Sequence, residues 1–333
     1  MNVPRINVAS LGGGHGLHQT LLAAKKIAAA KEGAPDPADY HVNAIVTVAD
    51  DGGSSGRLRR ELDIVPPGDL RMALAALTPP SEFGAEWADI IQHRFGGNGA
   101  MAGHAVGNLI IAGMAEAYGD LQRALDTLGR WTQTVGRVLP VALEPLEIEA
   151  DVQGLDDDPR LLRSVRGQVA VATTPGAVRR VRILPDQPPA NPAAVEAILN
   201  ADVVTIGPGS WFSSVIPHLL IPEIAQALTD TDATVIVILN LSPEAGETPG
   251  FTTERHIHVF NQHAPALKVD HFLADSGITL SEGERTYLQR AAATSGAEVT
   301  FADLAEVDAD GQRTIRHEPE KLAAAITALV RGN

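Results

Sequence analysis

The chain has 333 residues, of which 44% are hydrophobic and 20% charged, the mix of a soluble globular protein long enough for one large α/β domain. A net charge of −15 argues against a general nucleic-acid or anionic-membrane surface, since phosphate backbones are bound through an excess of Lys and Arg, whereas an anionic small ligand needs only local donors. The absence of cysteine excludes disulfides and thiolate metal sites.

The start, MNVPRINVASLGGG, passes from a short strand directly into glycines, without the long apolar core of a secretory signal. Apolar runs such as residues 235–239 are strand-sized and too short to span a bilayer. The expectation is a cytoplasmic protein with no membrane span.

Residues 6–11 read as a strand, followed by Gly12-Gly13-Gly14-His15-Gly16 and a helical run over residues 17–30. Strand, glycines and helix in that order aim backbone N–H groups and a helix N-terminus at a phosphate. The dinucleotide fingerprint is incomplete, because its third glycine falls at Leu17, and no Lys-Ser/Thr ends a nucleotide P-loop. The first acidic strand end, Asp50, is also farther along than the roughly 20 residues usual for a ribose-binding acid.

The next strand, residues 44–49, ends abruptly on Asp50-Asp51-Gly52-Gly53-Ser54-Ser55-Gly56, at the carboxyl end where open α/β sheets hold ligands. Arg57, Arg59 and Arg60 follow, and Pro66-Pro67-Gly68-Asp69 then starts a helix whose free N–H groups Asp69 can cap. Arg71 lies just inside it. Helices over residues 70–77 and 86–94 lead to Gly96-Gly97-Asn98-Gly99. A further helix opens at Gly103-His104-Ala105-Val106-Gly107-Asn108, where the i, i+4 spacing puts His104 and Asn108 on one face.

From residue 138 to 184 short apolar runs (138–143, 146–152, 168–173 and 178–184) alternate with Gly, Pro and Asp. This predicts an antiparallel β arm inserted into a single α/β domain spanning residues 1–333. The sheet resumes at residues 203–206 and enters a second glycine–hydroxyl loop, Gly207-Pro208-Gly209-Ser210-Trp211-Phe212-Ser213-Ser214, after which Pro217 keeps the first helical piece short. Residues 234–239 form a buried strand ending on Asn240. A helix runs through Phe260, on which His256 and His258 take different faces and make no metal pair. Residues 269–273 and 299–301 complete the sheet, and Pro319 starts a terminal amphipathic helix just after Arg316 and His317, where an anion contact or a solvated turn would sit.

The segment ADDGGSSGRLRRELDIVPPGDLR at Ala49 resembles the signature of the YvcK family of gluconeogenesis factors, related to 2-phospho-L-lactate transferase (CofD). LGGGHGL at Leu11, GHAVGNL at Gly103, ADVVTIGPGSWFSSVIPHLL at Ala201, NLSPEAGETPGFT at Asn240 and RHEPEKL at Arg316 extend the likeness over most of the chain. The resemblance implies a Rossmann-like, three-layer α/β/α fold with a mostly parallel sheet, and a nucleotide-diphosphate ligand. For the YvcK branch the implied ligand is a UDP-sugar such as UDP-N-acetylglucosamine, with a role linking carbon metabolism to cell-wall synthesis and cell shape. For the transferase branch it is Mg²⁺-dependent phospholactyl transfer. Three departures stand out: His15 replaces the usual Thr, Trp211-Phe212-Ser213 replaces Leu-Tyr-Thr, and the arm around residues 153–166 lacks a clear Gly-Glu-Ser element, so no ligand contact from the arm is expected.

Two functions follow. In a binding and regulatory protein, Gly12–Gly16 and Gly207–Ser210 would hold the diphosphate through N–H groups, Ser213 would add a hydroxyl, and Asn240 with the His104/Asn108 face would orient sugar or base. In a transferase, Asp50 and Asp51 would hold Mg²⁺, and Arg57 or Arg71 would stabilise the charge developing in transfer. Adjacent strand carboxylates point to opposite faces, which favours Asp50 alone as the metal ligand. A nicotinamide-dependent dehydrogenase rests on fold analogy alone and is the weakest reading. The residues select neither a protein partner in cell-wall regulation nor an oligomeric state, although a homo-oligomer is compatible with them.

Overall fold

The computed structural model describes residues 6–29, 41–158, 160–243, 248 and 251–331. The strands in chain order are β1 (Val8–Gly12), β2 (Val42–Val46), β3 (Arg137–Pro140), β4 (Glu147–Gln153), β5 (Leu162–Arg166), β6 (Ala177–Leu184), β7 (Val203–Ile206), β8 (Thr234–Ile238), β9 (His271–Asp275), β10 (Glu298–Ala302), β11 (Ala305–Val307) and β12 (Arg313–His317). The first helices are α1 (Gly14–Ala29), α2 (Gly53–Leu62), α3 (Gly68–Leu77), α4 (Glu82–Gln92), α5 (Val106–Tyr118), α6 (Leu121–Thr132) and α7 (Gln168–Ala172). They are followed by α8 (Pro192–Leu199), α9 (Ile216–Leu219), α10 (Pro222–Asp230), α11 (Thr253–His263), α12 (Glu282–Ala293) and α13 (Pro319–Arg331).

Seven strands form one sheet in the order β10-β9-β8-β7-β1-β2-β3, and every pairing in it is parallel. Helices cover both faces of this Rossmann-like α/β sheet, so all residues of β1 and β7 are buried, and their sequences are mostly apolar, the two buried hydroxyls of Ser10 and Thr205 bonding each other at 2.8 Å. The chain leaves β1 toward β2 on one side, and later leaves β7 toward β8 on the other. The loops after β1 and β7 therefore diverge at a topological switch point, where an open α/β sheet has its natural crevice.

Local chemistry explains where these elements stop and start. α1 opens on Gly14, whose φ of +56° turns the chain out of β1, and its apolar stripe of Leu17, Leu21 and Ala24 is buried against the sheet. α5 ends at Gly119, in the left-handed conformation, and α12 opens with a capping box between Ser281 and Glu284. After β7 a π-helical turn, Trp211–Val215, precedes the short α9 with Pro217 in its first turn, as that proline predicts.

The arm differs from expectation in two respects. β3, which the apolar pattern assigned to the arm, pairs with β2 and closes the main sheet, because its buried run suits a two-sided parallel environment. The run at residues 168–173 is the helix α7, and the third strand of the arm's antiparallel β5-β4-β6 sheet is β5, whose residues are mostly exposed and carry no apolar alternation. Of the motif at Asn240, residues 244–247, 249 and 250 lie outside the described residues, as does Ala30 at the end of the first predicted helix.

Candidate functional site

A crevice runs along the carboxyl ends of β1, β2, β7 and β8. Its narrow compartment, about 270 Å³, is lined by Gly13, Gly14, His15 and Gly16 from the first loop and by Gly209, Ser210, Ser213 and Ser214 from the second. Asp50, Asp69, Thr47 and Gln168 complete the lining. A wider compartment of about 970 Å³ shares His15, Gly16, Gly209, Ser210 and Gln168 with it and adds Asn240 and Arg316. Asn240 to Pro243 then lead into a third compartment of about 500 Å³, whose wall includes Phe251, Leu280, Tyr287 and Leu288. The sequence thus changes along the crevice from backbone and carboxylate to aliphatic and aromatic.

The two glycine loops touch directly. A Cβ on Gly16 would come within 2.0 Å of the Pro208 carbonyl oxygen, and Gly209 adopts φ +143°, so both positions require glycine. Asn240 clamps the second loop, its Oδ1 accepting the Gly209 N–H at 3.0 Å and its Nδ2 donating to the Gly209 carbonyl at 2.9 Å. Beneath that loop Trp211 and Phe212 are fully buried, and each such aromatic stabilises its anchorage by on the order of 2–3 kcal/mol. A rigid loop presents its backbone groups without an ordering cost at binding.

The acids divide. Asp50 accepts the Gly52 N–H at 2.9 Å and faces the narrow compartment, whereas Asp51 turns away and accepts the Val169 N–H of α7, also at 2.9 Å. The second carboxylate of the compartment is Asp69. It does not cap its own helix, since α3 has no side-chain cap; it accepts the N–H of Gly14 at the start of α1. Burial, and then the negative charge of Asp50, push its carboxyl up to about 7. Asp50 is also raised, mainly by burial, against the opposing hydrogen bonds of Gly52 and Ser55. Thr47, at the end of β2, has a buried hydroxyl with no protein partner, as expected of a group awaiting a ligand.

Two carboxylates and a hydroxyl are hard oxygen donors, the set from which Mg²⁺ is held when ligand phosphates supply the remaining positions. Asp50 and Asp69 would hold such an ion, and it would neutralise phosphate charge. Among the described residues no group of three or more His, Cys, Asp or Glu forms a protein-only metal site.

Other predicted residues lie behind this wall. Ser54 and Ser55 are in the first turn of α2, which begins at Gly53 where a loop was expected, and both are buried. Ser54 Oγ lies 2.9 Å from His104 Nδ1 and accepts from Asn108 Nδ2 at 3.0 Å; Asn108 Oδ1 accepts from Arg71 Nε at 3.0 Å, and Arg71 also donates to Gln92 Oε1. His104, Asn108 and Arg71 thus form a buried polar chain and do not line the crevice compartments. Arg57 donates to the Ala102 carbonyl at 2.8 Å and ties α2 to the turn that precedes α5. Gly12 ends β1 beneath the first loop, and Gly207, with φ +75°, begins the second.

Thr47, Ser214 and Gln168 are lining residues that sequence reasoning missed. Thr47 carried a signal, a hydroxyl three residues before Asp50 in an otherwise apolar run. Gln168 carried none, because it reaches the crevice from the arm.

The chain is similar to known proteins over nearly its whole length. The family model described as 2-phospho-L-lactate transferase CofD matches residues 8–319. A protein of Mycobacterium tuberculosis strain H37Rv is 55% identical over 319 residues, covering 96% of this chain and 89% of its own length. A protein of Bacillus subtilis strain 168 named "Gluconeogenesis factor" is 34% identical over 336 residues, covering 97% of this chain and 98% of its own. The crystal structure of a UPF0052 family member from Bacillus halodurans superimposes with a TM-score of 0.80 at 31% identity, covering 97% of this chain and 99% of that one.

Proposed function

The chain belongs to the CofD family, and from that premise we propose that it is a nucleotide-sugar binding protein with a regulatory role, its ligand of the UDP-N-acetylglucosamine class. The observation that carries this reading is the meeting of two glycine loops at the switch point, with the start of α1 and the clamped Gly209 facing one narrow compartment. First-turn N–H groups have no intrahelical carbonyl to bind, and the positive end of the helix dipole favours an anion there. A diphosphate suits the narrow compartment in size and would find N–H donors there, while the carboxylates of Asp50 and Asp69 call for a cation beside it. The wider compartments, with Arg316 and Asn240 and then the apolar wall at Phe251 and Tyr287, suit a sugar and a base. A regulatory role linking carbon metabolism with the cell wall follows from the YvcK-like motifs, and protein partners would read the liganded state.

The second reading is a Mg²⁺-dependent transferase acting on a nucleotide diphosphate. The Asp50/Asp69 pair favours it, since two carboxylates facing a phosphate cradle are costly without a cation. In this reading Asp69 joins Asp50, the single metal ligand favoured from the sequence, while Arg57 and Arg71 donate to Ala102 and Asn108 and would have to leave those partners to reach a transferring group.

Calorimetric titration with UDP-N-acetylglucosamine, with and without Mg²⁺, tests both when the mixtures are also chromatographed for product. Saturable binding without product, lost in Gly209→Asp, supports the binding protein. Released nucleotide sinks it in favour of the transferase.

A further inference from the structure

The arm is part of the crevice, and the carboxylate of Asp51 holds the start of α7 there. Asp51 Oδ1 accepts the Val169 N–H at 2.9 Å in the first turn of α7. Gly167, just before that helix, has φ +100°, and a Cβ there would come within 2.7 Å of Asp51 Oδ2. On the other side a Cβ on Gly52 would lie 3.3 Å from Val169 Cγ2 and 3.9 Å from Gln168 Oε1. The turn after β2 and the start of α7 are therefore in direct contact, and Gln168, the first residue of α7, lines both the narrow and the wide compartments.

Gln168 is half-buried, and its Nε2 reaches Ser213 Oγ only at 3.5 Å, the outer limit of a hydrogen bond. A ligand oxygen would replace that contact at little cost. Its carboxamide is uncharged and both donates and accepts, which suits a hydroxyl more than a phosphate oxygen. It stands where the phosphate cradle opens toward the wider space.

We propose that Gln168 is a ligand-contact residue that reads a hydroxyl-bearing ring attached beside the phosphates, and that Asp51 is the positioning residue that holds it there by seating α7 on the turn after β2. The proposal rests on the nucleotide-sugar reading, and its test separates the two. Q168A, Q168E and D51A are titrated with UDP-N-acetylglucosamine and with inorganic pyrophosphate, which has no hydroxyl-bearing ring, and hydrogen exchange at the Val169 amide is followed in the unliganded proteins.

Q168A is expected to weaken the nucleotide sugar about tenfold, the worth of one hydrogen bond, and to leave pyrophosphate unchanged. Q168E weakens both ligands by repulsion. D51A reproduces the Q168A loss without adding to it in the double variant, and it speeds exchange at Val169, while D51N, which keeps an acceptor, restores protection. Equal effects of Q168A on both ligands, or none, overturn the Gln168 contact. Unchanged Val169 exchange in D51A overturns the latch. A wild type that binds pyrophosphate but not the nucleotide sugar removes both the reading and the Gln168 contact, whereas the exchange result still decides the role of Asp51.

Discussion

The backbone of Gly16 lies against the carbonyl of Pro208 so closely that a methyl group there would sit 2.0 Å from the oxygen, which locks the loop after β1 to the loop after β7. Because that oxygen belongs to backbone, it cannot swing aside. Gly16→Ala is expected to separate the loops, lowering stability by about 1–3 kcal/mol, a typical overpacking cost, and abolishing nucleotide-sugar binding. Thermal melting and calorimetric titration of the same variant check it, and a protein that melts and binds like wild type would refute the close approach.

Asn240 holds Gly209 with a donor and an acceptor at once. Asn240→Asp keeps the shape but turns Nδ2 into an oxygen facing the Gly209 carbonyl, so the clamp becomes half repulsive. Affinity should fall more than tenfold while the melting temperature drops only slightly, because the loss is confined to about one hydrogen bond at a half-buried surface. Asn240→Ala should bind better than the Asp variant, an order that titration of both measures directly.

Asp69 holds its proton up to about pH 7, because burial and the charge of Asp50 disfavour its ionised form. A raised acid binds its proton more tightly in the folded than in the unfolded chain. Its contribution to stability is therefore full below the ordinary carboxylate range and is lost as pH rises toward 7. Asp69→Asn, which keeps an acceptor for the Gly14 N–H, should flatten this decline and melt above wild type at pH 8. Without a divalent cation, wild-type affinity for pyrophosphate should weaken from pH 6 to 8 relative to the Asn variant, in which only the ligand's own ionisation across that range remains. Titrations of both proteins at several pH values decide the matter, and a wild-type profile that parallels the variant's contradicts the assignment.

Arg71 is buried, and Asn108 Oδ1 accepts its Nε. Removing that acceptor in Asn108→Ala leaves a buried donor unsatisfied on a charged group, and also takes a partner from Ser54. A loss of about 1–3 kcal/mol in denaturant unfolding is expected, with affinity of the folded protein changed less than threefold. A large affinity loss at unchanged stability would instead move the His104/Asn108 face into the ligand site.

Much of this architecture could be read from local pattern. The strands at Val8, Val42, Val203 and Thr234 are mostly apolar runs because both faces are covered, and the glycine loops after β1 and β7 announce themselves by composition. Hence the fold class and the place of the crevice follow from residues adjacent in the chain. Which side chains enter that crevice depends on how separate elements pack. Asp50 and Asp51 are neighbours, yet one faces the cradle and the other α7, because α7 arrives from the arm more than a hundred residues later. Asp69, legible as a cap for its own helix, serves α1, since α3 packs beside the first loop. His104 and Asn108 do stand together, but not through the helical spacing expected of them: α5 begins at Val106, so His104 precedes it, and the two meet at Ser54 of α2. Local sequence marks which residues are polar; only the packing of a second element settles whether they meet solvent, a ligand or the protein interior.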